Sequence, residues 1–219
     1  MEYPHGPAPE TSELAALADH LRALPPSCGA VRLVAVDGHA GSGKTTFADR
    51  LSRALGGAPV VHLDDLATHQ EFFGWTGRLR DWVLKPLAQG DSARFEAYDW
   101  GARHFQGARE IAPAPVVLLE GVGAGRRAVR PALAALIWME LPAADANARG
   151  LRRDGPQLAA FWARWSSAEN AHFAVDPSRP YADLLVDGRT GEPLPPAVAR
   201  GSSVRDRPAG GPAKRPLDR

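Results

Sequence analysis

The chain has 219 residues, 44% of them hydrophobic and 23% charged, with a formal net charge of +1. That length fits one domain with a sizeable core, and a charge so balanced, with no basic stripe, disfavours a nucleic-acid partner. The single cysteine, Cys28, excludes an internal disulfide and a multi-cysteine zinc site.

The first ten residues lack the basic and apolar regions of a secretory signal, and the longest apolar run, from Ala132 to Met139, is too short to span a bilayer. A cytoplasmic protein with no membrane attachment is expected, compatible with a homo-oligomer. Within a lead segment covering 1–29, Leu14, Leu17, Leu21 and Leu24 recur at helical spacing until Pro25-Pro26. They predict a short amphipathic helix.

A valine-rich strand follows from Val31 to Val36, and then the run Gly38-His39-Ala40-Gly41-Ser42-Gly43-Lys44-Thr45-Thr46. Gly38, Gly41 and Gly43 lack a Cβ, so the backbone can turn successive N–H groups around an anion at the start of a helix. Phe47, Leu51 and Leu55 carry that helix to the stop at Gly56-Gly57. The spacing is that of a phosphate-binding loop, with residues 38–46 as the ATP-binding segment. Lys44 is placed to reach the terminal phosphates, and Thr45 to ligate Mg²⁺. Lysine occurs elsewhere only at 85 and 214, in a chain that otherwise uses arginine.

Further apolar runs at 59–63, 116–119, 136–141 and 183–186 alternate with helical patterns. They predict a three-layer α/β/α P-loop NTPase fold with a mostly parallel five-stranded sheet over 30–188. Ligands in such sheets sit beyond the carboxyl ends of the strands. Asp64 and Asp65 follow one strand and Glu120 another. Asp64 is assigned the base role toward an acceptor hydroxyl, and Glu120 a role beside Mg²⁺. Simple turn capping is the alternative for both acids.

Arg149, Arg152 and Arg153 cluster on a helix expected from Pro142 to Asp154. Arg149 and Arg153 are candidates to stabilise charge on the transferring phosphoryl, a solvated helix face being the other reading. Of the aromatic residues, Tyr98 and Trp100 are read as rings able to stack on an acceptor, whereas Trp75, Trp162 and Trp165 are read as core. Residues 189–219, rich in Arg, Pro and Gly with seven basic residues against three acids, are expected to be disordered.

Four stretches together resemble the uridine kinase-like family of P-loop kinases, related to phosphoribulokinase and pantothenate kinase. They are Gly38 to Thr46, His62-Leu63-Asp64-Asp65, Tyr98-Asp99-Trp100 leading to Leu119-Glu120-Gly121, and Tyr181 to Val186. The resemblance implies Asp64 as catalytic base, Glu120 as the acid serving Mg²⁺, and Tyr98, Trp100 and Arg103 at the substrate. Arg103 stands where family members place a base-contacting histidine. The arginine-rich lid is shortened, since Arg153-Asp154 runs directly into Gly155-Pro156, leaving Arg164 as a substitute reaching back from the next helix.

The expected activity is transfer of the γ-phosphate of ATP to a hydroxyl of a nucleoside-like small molecule. The alternative is an ATP-binding switch module with weak hydrolysis that acts through a protein partner. A GTPase is disfavoured, because neither Asn147 nor Asn170 is followed by lysine.

Overall fold

The computed structural model describes residues 12–195. Its centre is a five-stranded sheet built from β1 (Arg32–Gly38), β2 (Val60–His62), β5 (Val116–Glu120), β6 (Ala135–Glu140) and β7 (Leu184–Asp187). Their order across the sheet is β2-β5-β1-β6-β7, with every pair parallel. The expected three-layer fold is present, because the strands carry near-continuous apolar runs, such as Leu33–Val36, Val116–Leu119 and Ala135–Met139, that must be covered on both faces.

Alternation along β1 divides the core. Leu33 and Ala35 pack on one side with Val61, Leu119 and Trp75. Val34 and Val36 pack on the other with Leu118, Ile137 and Phe47. Phe47 and Leu51 come from α2 (Lys44–Ala54), and Leu14 and Leu21 from α1 (Ser12–Ala23), the predicted amphipathic helix. Truncating a fully buried ring such as Phe47 to alanine costs about 3–5 kcal/mol.

The register places the chemistry. Val36 and His62 both pair with Glu120, so the ends of β1, β5 and β2 lie level. The phosphate loop leaves β1 at that edge, and a 3₁₀ turn over Leu63–Asp65 leaves β2 at the same edge, on the far side of β5.

Between β2 and β5 the chain forms more structure than its sequence pattern suggests. Short helices α3 (Thr76–Arg78) and α4 (Lys85–Gln89) flank a π-helical stretch, Leu79–Leu84. A separate antiparallel hairpin follows, β3 (Ala93–Asp99) with β4 (His104–Ile111), bulged between Glu96 and Ala97. Two long helices complete the domain, α5 (Ala143–Asp154) and α6 (Ala159–Val175).

The expectation of disorder from residue 189 is corrected over its first residues. The Leu194 N–H donates to the Leu185 carbonyl at 2.8 Å, and the Asp187 N–H to the Glu192 carbonyl at 2.9 Å, folding the chain back on β7. The rest of the expected tail, 196–219, lies outside the described residues, as do residues 1–11 of the lead. No helix among the described residues is long and apolar enough to cross a membrane.

Candidate active site

The phosphate loop is held open from below by Asp37, fully buried at the end of β1. Its carboxylate accepts N–H bonds from Gly38, Gly123 and Gly125 at 2.7–2.8 Å, joining the loop to the turn after β5. Burial pushes the Asp37 carboxyl upward, and the nearby Ser178 hydroxyl and the three main-chain N–H groups oppose the rise. Gly41 adopts φ +87°, and a Cβ there would stand 2.1 Å from the Ala146 carbonyl of α5. Only glycine permits both that conformation and that approach.

Two adjoining pockets open at the strand ends. The smaller, of about 220 Å³, is lined by Gly41, Gly43, Lys44, Thr45 and Thr46 together with Arg149, Gly150 and Arg153 of α5. Lys44 is only 6% exposed, and its Nζ donates to the His39 carbonyl at 2.9 Å. The start of α2 carries no side-chain cap, so its first N–H groups and dipole are free to meet an anion. Arg149 Nη1 donates to the Gly188 carbonyl at 2.7 Å, which holds α5 against the end of β7. This donor set fits a triphosphate.

The larger pocket, of about 420 Å³, has aromatic walls from Trp100, Phe161, Trp162 and Trp165, with Asp64, His69, Arg153 and Asp154 as its polar groups. Trp100 Nε1–H donates to the Asp64 carbonyl at 3.1 Å, so a wall residue also fixes the strand end that carries the acid. Asp64 is pushed up to about 6, first by burial and then by the negative charge of Glu120, against the pull of Lys44 and His62. The Asp64 side chain is exposed where it opens onto the pocket, and water there moderates this rise.

Glu120 is buried at the centre of the edge, and its Oε2 lies 2.8 Å from His62 Nδ1. That hydrogen bond raises the His62 pKa, with burial opposing it. Among the described residues no three His, Cys, Asp or Glu side chains gather into a metal cluster. A Mg²⁺ held chiefly by phosphate oxygens needs fewer protein ligands, and Thr45 and Glu120 are of the right chemistry.

Several expected positions are refined. Tyr98 is buried behind the pocket, its hydroxyl 3.0 Å from His69 Nδ1, so His69 lines the cavity in its place. Asp99 accepts the N–H groups of Gly101 and Ala102 and caps the hairpin turn. Arg103 sits in that turn at φ +61°, exposed and not among the pocket-lining residues. Arg164 does not reach back to the phosphates; it lies over the Phe72 ring at 5.7 Å, facing a groove on the outside of α6.

Trp162 and Trp165 are pocket walls as well as core. His39 turns its ring out of the loop, between Trp138 and Phe173, and Ala40 faces the larger pocket. Glu169, on the same helix as the two tryptophans, was missed in the sequence. Its signal is an acid at the i+4 position from Trp165 on an otherwise apolar face.

No family model matches the chain, and no curated protein matches it. Solved structures do. A protein named as a possible uridine kinase from Bacillus stearothermophilus superposes with a TM-score of 0.59 at 19% identity, covering 80% of this chain and 97% of its own. The chain has the fold of the uridine kinase-like P-loop kinases. A second structure of that fold, named as a putative fructose transport system kinase from Silicibacter sp. TM1040, also has a TM-score of 0.59, at 25% identity over 74% of this chain and 95% of its own. The pocket at the glycine-rich loop and the aromatic pocket meet at Arg153, which lines both.

Proposed function

We propose that the chain is an ATP-dependent kinase that transfers the γ-phosphoryl group to a hydroxyl of a nucleoside-like small molecule. The observation that carries this reading is the junction of the two pockets. Arg153 lines both, and Asp64 faces the aromatic one from the end of β2, two strands from β1 at the same edge of the sheet as the phosphate loop. The two proteins of similar fold, named as a possible and a putative kinase, support it.

In this reading the loop amides and Lys44 hold the β- and γ-phosphates, and the aromatic walls hold a ring of the acceptor in place. Asp64 takes the proton of the acceptor hydroxyl as its oxygen bonds to the γ-phosphorus and the bond to the ADP oxygen breaks. Arg153 meets the charge on the transferring group. Mg²⁺, when bound, neutralises the phosphate oxygens, with Thr45 and Glu120 on its side of the site.

The larger pocket offers one guanidinium, already engaged by Asp154, beside two carboxylates. That balance favours an uncharged acceptor over one bearing a phosphate. The test is ADP release from MgATP in the presence of uridine, cytidine, pantothenate and sugar phosphates in turn. A nucleoside is expected to stimulate release most, and no stimulation by any of them would contradict the kinase reading.

A further inference from the structure

Glu169 is 5% exposed on α6 and takes no part in the chemistry described above. A buried carboxylate is costly unless its oxygens are engaged. Both are. The Ala40 N–H donates to Oε1 at 2.7 Å, and His39 Nδ1 lies 3.2 Å from Oε2. His39 is held further by edge-on contacts with Trp138 and Phe173, at centroid distances of 5.6 and 5.2 Å. The first half of the phosphate loop is therefore anchored to α6 rather than by its own turn alone.

One or two turns earlier, α6 supplies Phe161, Trp162 and Trp165 to the aromatic pocket. Trp165 and Glu169 are four residues apart, on one face of the helix. Asn147 of α5 bonds to Ser166, and Trp162 Nε1–H donates to Asp154 at 3.2 Å, tying in the helix that bears Arg149 and Arg153. A helix moves as a rigid body, so a shift of its aromatic face carries Glu169 with it.

We propose that Glu169 is a positioning residue that couples the two pockets, setting the phosphate loop against the aromatic wall through its grip on Ala40 and His39. The coupling rests on the reading that the loop takes MgATP, and it is reciprocal between acceptor and nucleotide.

The test is calorimetric titration of the full chain with MgATP, alongside its tryptophan emission, for the wild type, Glu169→Ala and Glu169→Gln, with thermal melting of each without nucleotide. Alanine removes both contacts and is expected to weaken MgATP about tenfold and to abolish the nucleotide-induced change in emission. Glutamine keeps an oxygen for the Ala40 N–H and should recover most of the affinity. Where the alanine variant does not fold, Glu169→Asp, which keeps the charge but shortens its reach, is expected to show the same loss with a native melting transition. MgATP affinity within about twofold of wild type in a folded Ala or Asp variant would overturn the coupling. A wild type that takes up no MgATP would instead overturn the phosphate-site reading, and the coupling with it.

Discussion

Arg153 and Asp154, adjacent at the end of α5, face each other as a fork, with Nε 2.6 Å from Oδ1 and Nη2 3.0 Å from Oδ2. The arginine is largely exposed, and such pairs are worth about 0–1 kcal/mol, so a triphosphate can draw the guanidinium away at little cost. Asp154 is itself steadied by Trp162 Nε1–H, which keeps the arginine parked over the pocket junction.

Arg153→Ala is therefore expected to lower turnover by ~10²–10³-fold, as for loss of one preorganised donor to developing charge, with a smaller change in MgATP affinity. Arg153→Lys should recover only part of it, because a point charge lacks the planar fork. Steady-state kinetics beside calorimetry separates the two effects.

Gly150 of α5 packs directly on Trp162. A Cβ there would lie 2.0 Å from the indole ring, closer than atoms can approach. Gly150→Ala should destabilise the fold by about 1–3 kcal/mol and displace α6, degrading the aromatic pocket at the same time. Chemical denaturation and the near-ultraviolet dichroism of the tryptophans report the two consequences.

His172 stacks on Phe73 with ring centroids 4.8 Å apart, and its pKa is lowered to about 4 by burial first and the Arg126 charge second, Asp176 and Glu169 opposing. A histidine kept neutral by the fold is protonated first in the unfolded chain. Its contribution to stability is thus fully present above about pH 6.5 and is lost as the pH falls toward 4. His172→Gln should flatten the acid limb of a stability profile across that window, while wild type loses stability along it.

Asp64, raised to about 6, works in the opposite sense on stability. The fold favours its protonated form, so the group costs nothing below about pH 4 and destabilises fully above about pH 6. Asp64→Asn should melt higher than wild type at pH 7.5, with the advantage vanishing near pH 4. The same ionisation should appear in kcat/KM, which rises with pH through about 6 as the base becomes available.

The strands and the loop were legible in the sequence because each rests on a local signal. Val34 and Val36 mark a strand buried on both faces, and Gly41 to Thr45 mark an anion-binding turn. The hairpin of β3 and β4 was not, since one strand is exposed along nearly its whole length and offers no apolar alternation. In the site, Asp64 and Glu120 could be placed by following strand ends. His62, His69 and Glu169 could not, because each acquires its role from a partner far along the chain: Glu120, Tyr98 and the loop at 39–40. Trp162 and Trp165 read as core for a similar reason, a buried ring looking the same in sequence whether it lines a pocket or fills one.

In the proposed reaction Asp64 acts on an acceptor hydroxyl across from the terminal phosphate of ATP. Transfer of label from γ-labelled ATP to the nucleoside acceptors, compared between wild type and Asp64→Asn with MgATP affinity measured in parallel, tests it most directly. Expected are label in a nucleoside product, at least ~10²-fold slower transfer in the asparagine variant, and nearly unchanged nucleotide affinity. Asparagine turnover close to wild type, or no acceptor taking up label, would contradict it.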